Sequence, residues 1–234
     1  MQIFYAPGIK GTSYMLNEME SKHCIRVLRM TKGSLIRLID GKGTFYEGEI
    51  SDPDPKKCQI TILEVKYGFE KRNYKLHIAI SPLKNTDRFE WFVEKSVEIG
   101  VDEITPIICK LTEKQSIKHE RIENIIISAM KQSLKALKPV INEPLSFDDF
   151  IKQSVDGLRM IAHCKSYPER VKISEACKKS DNAIIMVGPE GDFSEDELAT
   201  AVNYGFTPIH LGTSRLRTET AGIAACHSIY FINQ

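Results

Sequence analysis

The sequence predicts an α/β protein in which a small β-barrel precedes a largely parallel sheet flanked by helices. The chain has 234 residues, enough for two unequal domains. Short apolar runs broken by turns fill the first part, and apolar strands alternate with amphipathic helices in the second. The polar stretch 68–73 lies between these two patterns. We therefore expect a barrel domain over residues 1–70 and an α/β domain over residues 74–234.

The barrel is predicted from strand density. Strand-like runs lie at residues 33–40, 43–50 and 57–65. Asp40 and Gly41 join the first two runs, and an Asp-Gly pair supplies the positive backbone angles of a tight hairpin turn. The stretch 51–55 contains two prolines and breaks the chain before the third run. Strands this short and closely spaced predict a barrel of about 70 residues.

The second part predicts a parallel sheet because strands and helices alternate. Strand-like runs lie at residues 75–80, 103–109, 159–163, 183–187 and 208–211. A helix is predicted from Asn85 to Gly100, where apolar residues recur at spacings of three and four and glycine ends the pattern. Further helices are predicted over residues 119–137, from Ser194 with a capping box to Glu197, and from Thr218 to the end.

Composition excludes several classes of protein. Lys and Arg number 32 against 31 Asp and Glu, so any nucleic-acid surface has to be a local patch. No apolar run approaches the roughly 18 residues of a membrane span, and the N-terminus lacks the pattern of a secretory signal. The cysteines are scattered without metal-site spacing, which favours reduced thiols in the cytoplasm: Cys24, Cys58, Cys109, Cys164, Cys177 and Cys226.

Residues 187–194 form the first segment that indicates a binding site. The segment reads Val-Gly-Pro-Glu-Gly-Asp-Phe-Ser and follows an apolar strand. Two glycines flanking Pro-Glu allow a tight loop whose backbone can approach a ligand closely. An ordinary strand-to-helix turn, with Glu190 as an exposed carboxylate, explains the same residues.

Residues 211–221 form the second such segment, again after a strand. Gly212 permits a sharp exit from that strand, and Thr218 can cap the following helix. Arg215 and Arg217 on so short a loop suit an anionic ligand such as phosphate or carboxylate. A solvated basic loop is the alternative interpretation.

Together the two segments match the patterns GPEGxFSxxE and LGxxxLRTETA. The pair resembles the C-terminal signature of the 16S ribosomal RNA (uracil-N3) methyltransferases, the RsmE family of the SPOUT superfamily. Upstream, residues 23–29 with Lys32 and Gly33 resemble the family's HxxxVLR signature, and residues 92–101 resemble its K-x-x-E-L-G-V helix. Gln132, Ser133 and Pro139 fall where the family has an EQxxR…P helix. The resemblance covers nearly the whole chain.

Some positions depart from the family pattern. Asp192 stands where a second glycine usually follows GPEG, and Ser214-Arg215 stand where Arg-Ile is common. Lys131 and Lys135 occupy positions where Glu and Arg are frequent. Residues 217–220, Arg-Thr-Glu-Thr, are intact.

The resemblance implies a fold and an activity. It implies a SPOUT-type parallel sheet with a trefoil knot, a PUA-like N-terminal barrel, and a homodimer formed through the C-terminal domain. It implies transfer of a methyl group from S-adenosylmethionine to N3 of a uridine in 16S rRNA of the small subunit, uridine 1498 in the family. A cytoplasmic location and no membrane or metal partner follow.

The resemblance also assigns residues. Three loops would hold the cofactor, through His163, Cys164, Val187, Gly188, Pro189, Glu190, Gly191, Leu211, Gly212, Ser214, Leu216 and Thr220. Arg217 would stabilise charge on the base or its phosphate. Glu219 would orient it or act as base, although a carboxylate near a helix N-terminus has a purely structural explanation. Glu98 is a further catalytic candidate, although a pair with Lys95 explains it equally well.

RNA contacts are expected from Arg26, Arg29 and Lys32 in the barrel domain and from Arg215. Residues 110–138 also carry an excess of Lys and Arg, and a solvated charged face is the alternative for each patch. Two other functions compete with the main one: methylation of a different RNA base, and non-catalytic RNA binding during ribosome assembly. An unrelated nucleotide-binding protein is disfavoured because GxGxxG and GxxxxGK[ST] loops are missing.

Overall fold

The computed structural model describes residues 3–153, 156–166 and 168–234. The chain divides into two compact units. The first comprises Met1–Lys71 together with Met130–Lys138, and the second comprises Arg72–Ala129 together with Pro139–Gln234. The first unit therefore differs from the contiguous domain over residues 1–70 by a segment that comes much later in the chain.

The first unit is built on a curled five-stranded sheet. Its elements are β1 (Ile3–Tyr5), β2 (Ser13–Met15), α1 (Glu18–Lys22), a π-helical segment (His23–Val27), β3 (Leu35–Ile39), β4 (Thr44–Asp52) and β5 (Gln59–Tyr67). The strand order is β1-β3-β4-β5-β2, with β1 parallel to β3 and the other pairs antiparallel. Its edge strands β1 and β2 are not paired with each other in the described residues, so the sheet curls into a half-barrel, and the predicted small N-terminal β domain is confirmed.

The predicted turn at Asp40 and Gly41 is present, but it is longer than a two-residue hairpin. Four residues, 40–43, connect β3 to β4. Asp40 Oδ1 accepts hydrogen bonds from the backbone N–H groups of Lys42 at 2.7 Å and Thr44 at 3.0 Å. Such aspartate-to-backbone bonds stabilise turns without further contacts.

The segment Met130–Lys138 joins the first unit through backbone and ionic contacts. Gly43 N–H donates to the Ala136 carbonyl at 3.0 Å, and Lys138 N–H donates to the Gly41 carbonyl at 2.9 Å. Lys131 Nζ lies 2.7 Å from the buried carboxylate of Glu20, and Lys135 Nζ lies 3.3 Å from Glu70. The two lysines that depart from the family pattern thus pair with carboxylates of the same unit.

The second unit is an eight-stranded parallel sheet with helices. Its strands are β6 (Leu76–Ile80), β7 (Glu103–Ile108), β8 (Val140–Ile141), β9 (Leu145–Ser146), β10 (Leu158–Ala162), β11 (Val171–Lys172), β12 (Ala183–Val187) and β13 (Thr207–His210). Its helices are α2 (Thr86–Ile99), α3 (His119–Ser133, of which the part from Met130 onward belongs to the first unit), α4 (Phe147–Ile151), α5 (Ile173–Ala176), α6 (Glu195–Asn203) and α7 (Thr218–Ile232). The strand order is β11-β13-β10-β12-β6-β7-β8, with β9 pairing β7, and the predicted parallel α/β sheet is confirmed.

Helix α2 begins and ends where the sequence predicted. Asn85 caps it by accepting a hydrogen bond from Asp87 N–H at 2.9 Å, and Gly100 ends it at a φ of 117°. Few residues other than glycine adopt this left-handed conformation. The buried face of α2, including Phe89 and Phe92, packs against α7.

Helix α3 ends earlier than predicted, at Ser133 and not at Leu137. Leu134 has a φ of 60°, which takes the chain out of the helix. The residues after it bond to the loop 40–43 of the first unit, as described above. These contacts between distant parts of the sequence override a local pattern that favoured helix up to Pro139.

No helix among the described residues has both the length and the apolar character that a membrane crossing requires.

Candidate functional site

Three loops of the second unit meet at the carboxyl edge of its sheet. Strand β10 lies between β12 and β13 and is parallel to both, so the loops that follow these strands leave the same edge. They enclose a cavity of about 900 Å³. Small-molecule sites usually have this size, and open parallel sheets usually bind ligands at this edge.

The cavity gathers nearly all residues that the sequence assigned to a cofactor. Its walls include His163, Cys164, Val187, Gly188, Pro189, Glu190, Gly191, Leu211, Gly212, Ser214 and Leu216. Thr220 is the exception, since α7 presents Thr218, Glu219 and Ala221 to the cavity instead. The structure therefore brings together the three loops that sequence similarity had grouped.

Among the described residues of the first loop, His163 is the most buried polar side chain, with 5% of its surface exposed. Neither ring nitrogen has a hydrogen-bond partner in the described part of the chain. Burial lowers the pKa of His163, and the nearby Arg170 guanidinium lowers it further while the Asp192 carboxylate opposes the change. The lowered pKa favours the uncharged ring, which offers one donor and one acceptor.

The second loop runs from Val187 into α6. The predicted capping box is confirmed: Ser194 accepts from Glu197 N–H at 3.3 Å, and Glu197 accepts from Ser194 N–H at 2.8 Å. Glu190 is exposed and accepts a hydrogen bond from Lys84 N–H at 3.3 Å. This contact fits the structural interpretation of that carboxylate.

The third loop leaves backbone donors free at the cavity wall. Gly212 has a φ of 123°, which turns the chain sharply out of β13. None of the described residues accepts a hydrogen bond from the N–H groups of Thr213, Ser214 or Arg215. A ligand in the cavity can therefore use these groups without displacing an existing partner.

The N-terminus of α7 also faces the cavity uncapped. Thr218 does not cap this helix as predicted, because Arg217 occupies the N-cap position and Thr218 is already helical. No side chain of the described residues makes a capping hydrogen bond there. The first amides of a helix carry partial positive charge, so this end of the cavity favours negative charge.

Arg217 and Glu219 lie at this end, together with an arginine that sequence reasoning missed. Arg217 is exposed, whereas 8% of the Glu219 side chain is exposed. Arg88, in the first turn of α2, lines the same cavity, and its Nε lies 3.8 Å from Glu219 Oε1. An ion pair compensates much of the cost of burying a carboxylate.

Close packing of α2 on α7 sets this geometry. A Cβ placed on Gly222 would lie 2.6 Å from the Phe92 ring, so only glycine allows the helices this separation. Arg88 precedes Phe92 by one helical turn, and Glu219 precedes Gly222 by about one turn. The ion pair therefore sits one turn beyond the contact that fixes the helix separation.

Glu98, the third catalytic candidate, does not reach the cavity. It lies in the last turn of α2, which runs from the carboxyl end of β6 to the amino end of β7. Its carboxylate pairs with Lys95 Nζ at 2.7 Å, as the alternative interpretation proposed. Because the end of α2 leads into the amino end of β7, Glu98 lies at the edge of the sheet opposite the cavity.

The residues expected to contact RNA occupy two places. Arg26, Arg29 and Lys32 are exposed on the first unit, next to or within the π-helical segment, and Arg29 has a φ of 55°. Arg215 is exposed at the cavity wall of the second unit. The excess charge of residues 110–138 is partly neutralised within the chain, as in the bidentate contact of Arg121 with Glu90.

Two further cations of the cavity, Lys165 and Arg170, were also missed by sequence reasoning. Residues in the loop or first helical turn directly after a parallel strand lie near the carboxyl edge of the sheet. This rule, applied to each strand, would have identified Arg88, Lys165 and Arg170. Within the described ranges, no group of three or more His, Cys, Asp or Glu side chains could hold a metal ion.

Comparisons with known proteins agree with this geometry. Residues 70–230 match the RNA methyltransferase domain family, and residues 16–63 match the RNA methyltransferase PUA domain. The chain is 35% identical over 235 residues to ribosomal RNA small subunit methyltransferase E of Mesomycoplasma hyopneumoniae, covering 95% of this chain and 96% of that protein.

Solved structures agree as well. A "probable rRNA-methyltransferase" from Porphyromonas gingivalis superposes with a TM-score of 0.93 at 40% identity, covering 100% of this chain and 98% of that one. Ribosomal RNA small subunit methyltransferase E of Neisseria gonorrhoeae, solved bound to S-adenosyl methionine, superposes with a TM-score of 0.88 at 27% identity and the same coverage. The chain therefore belongs to the RNA methyltransferase family that includes ribosomal RNA small subunit methyltransferase E.

Proposed function

We propose that the cavity binds S-adenosylmethionine and that the protein methylates N3 of a uridine in 16S rRNA, uridine 1498 of the family. The observation that carries this proposal is the convergence of the three loops on one cavity at the carboxyl edge of the sheet. The Neisseria gonorrhoeae relative, which has the same fold, was solved with this cofactor.

The cavity suits the cofactor on its own features. An adenosyl group needs apolar surface together with hydrogen-bond donors and acceptors, and the cavity offers Ile209, Leu211 and Leu216 beside the free amides of residues 213–215. The buried His163 ring adds one donor and one acceptor without partners in the described residues. When bound, S-adenosylmethionine supplies a methyl group on a sulfonium, a good leaving group that requires no metal.

Arg217 would act on the target base. Uracil N3 carries a proton at neutral pH, and its removal leaves negative charge on the ring. Arg217 and the uncapped amides of α7 place positive charge at the cavity end where that base would enter. We assign to Arg217 the stabilisation of this developing charge.

Glu219 would hold Arg88. The carboxylate is buried and its nearest cation is the Arg88 guanidinium, so its position is fixed against α2. About 40% of the Arg88 side chain remains exposed, which leaves guanidinium donors for the substrate. We therefore infer that Glu219 orients Arg88 in the cavity wall, with Arg88 and Arg217 both available to an anionic group.

Substitution of Arg88 tests this arrangement. We expect Arg88→Ala to slow single-turnover methyl transfer by about tenfold to a hundredfold, since a charge-assisted contact is lost. Arg88→Lys keeps the charge but loses the planar fork, and we expect an intermediate rate. The rate is measured at saturating S-adenosylmethionine and RNA, and an unchanged rate in Arg88→Ala would remove Arg88 from the mechanism.

The first unit would hold the RNA substrate. Its match to the PUA domain of RNA methyltransferases and the exposed cations Arg26, Arg29 and Lys32 support this role. Contacts from these cations to phosphates would make binding weaken as salt is raised. They would position the RNA without reading its sequence.

Three further properties belong to the proposal. Dimerisation through the second unit is supported by α7, where Phe231 is 71% exposed and stacks on His227. A large exposed aromatic ring is typical of an interface.

The trefoil knot stays a prediction from the family resemblance, and a cytoplasmic location follows from the proposed ribosomal substrate.

Methyl transfer to small ribosomal subunits that lack the modification is the direct test. We expect label from S-adenosylmethionine to appear in 3-methyluridine on nucleoside analysis of 16S rRNA. Label on another nucleoside would keep the cofactor and fold but reject the target atom. Absence of cofactor binding would favour the non-catalytic RNA-binding module.

A further inference from the structure

Asp192 adopts an unusual backbone conformation between two walls of the cavity. Its φ is 67°, in the left-handed region that aspartate and asparagine tolerate better than most residues. It occupies the position where the family pattern commonly has glycine, the residue with the least strain in this conformation. Aspartate carries more backbone strain here than glycine would, and hydrogen bonds of its side chain offset that cost.

The side chain of Asp192 bridges two loops. Its Oδ2 accepts a hydrogen bond from Cys164 N–H, in the loop after β10, at 2.8 Å. Its Oδ1 lies 2.8 Å from the N–H of Phe193, whose ring is fully buried in the core of the second unit. The carboxylate thus ties the first cavity loop to a residue that the core holds in place.

The peptide group between His163 and Cys164 accepts one hydrogen bond through its carbonyl and donates another through its N–H. The N–H of Cys164 and the carbonyl of His163 belong to the same peptide unit. Arg170 Nη1 donates to that carbonyl at 2.7 Å, while Asp192 accepts from the N–H at 2.8 Å. Both partners are charged, and such hydrogen bonds are the stronger kind. The peptide that carries the buried His163 ring is therefore held from both ends.

We propose that Asp192 is a positioning residue that, together with Arg170, fixes the His163–Cys164 peptide and so shapes the cofactor cavity before the cofactor binds. The inference rests on the proposed binding of S-adenosylmethionine in this cavity. A preformed loop lowers the ordering cost of binding, so loss of the clamp weakens affinity and leaves the chemical step unchanged.

Three substitutions at residue 192 separate the effect of the hydrogen bond from Cys164 N–H to Asp192 from the effect of backbone strain. Asp192→Asn keeps an acceptor and tolerates the left-handed conformation, Asp192→Gly relieves strain but loses the acceptor, and Asp192→Ala loses the acceptor and keeps the strain. We expect the Gly and Ala variants to bind S-adenosylmethionine about tenfold more weakly in calorimetry, and the Asn variant within about threefold of wild type. At saturating cofactor, kcat should be unchanged in all three.

Amide hydrogen exchange of the cofactor-free protein gives a second readout that does not depend on activity. The Cys164 amide should exchange faster in the Gly and Ala variants, and also in Arg170→Ala, than in wild type and the Asn variant. Wild-type affinity and an unchanged Cys164 exchange rate in Asp192→Gly would overturn the proposal. If wild type itself bound no S-adenosylmethionine, the proposed function would fail, while the Cys164 exchange rates would still confirm or reject the clamp.

Discussion

Replacing Arg217 with alanine is expected to slow methyl transfer by about a hundredfold or more while leaving the fold intact. Arg217 is exposed at the cavity wall and precedes α7, so its removal opens no cavity in the core. We expect the free energy of unfolding to change by no more than about 0.5 kcal/mol. Loss of one preorganised charge at the reacting base should lower kcat by about a hundredfold to a thousandfold. Single-turnover transfer to small subunits measures the rate, and denaturant unfolding measures the stability.

Arg215→Ala is the matched control, because Arg215 lies on the same loop, is also exposed, and also lines the cavity. If the loss of positive charge acted only through weaker RNA binding, the rate of methyl transfer would fall equally in both variants and would recover at low salt. A specific role predicts that Arg217→Ala alone loses the chemical step. Wild-type kcat in Arg217→Ala would exclude this residue from catalysis.

Replacing Gly222 with alanine is expected to destabilise the second unit despite the better helix propensity of alanine. The added Cβ would lie 2.6 Å from the Phe92 ring and 2.9 Å from the Ile80 side chain, and Phe92 is fully buried. Overpacking of this kind costs about 1–3 kcal/mol, and the roughly 1 kcal/mol that alanine gains in helix propensity offsets only part of it. Denaturant unfolding should show a lower midpoint without a change in slope.

A double-mutant cycle with Phe92→Leu provides the control. The smaller side chain relieves the clash, so Gly222→Ala should cost less in that background than in wild type. The same cost in both backgrounds would show that the helices separate without strain. Activity reports on the same contact, because any shift of α7 on α2 moves Glu219 away from Arg88.

Locally encoded features could be predicted from the sequence. The stop of α2 at Gly100 and the capping box of Ser194 with Glu197 depend on residues a few positions apart, and both are present. The loops of the cavity were also grouped correctly, although by resemblance and not by physical reasoning. The parallel strand order that brings them together depends on pairing between distant segments.

Other predictions failed where distant parts of the chain determine the structure. The end of α3 is set at Leu134, and the residues after it bond to the loop 40–43, which no local pattern reports. The catalytic role of Glu98 stays a prediction from its motif, while the structure places this residue where α2 returns to the edge of the sheet opposite the cavity. Following the connectivity of α2 would have identified Arg88, because the start of that helix lies at the other edge, beside the cavity.

The first unit is built from two segments that lie far apart in the sequence, which affects when it can fold during synthesis. Its sheet is complete by Tyr67, but the segment that bonds to its loop 40–43 ends only at Lys138. A nascent chain cannot finish this unit until both parts have left the ribosome, by which time β6, β7 and α3 have also been made. A fragment cut after Lys71 would expose the buried Glu20 without Lys131. The two units are thus interleaved along the chain, and no single cut separates them.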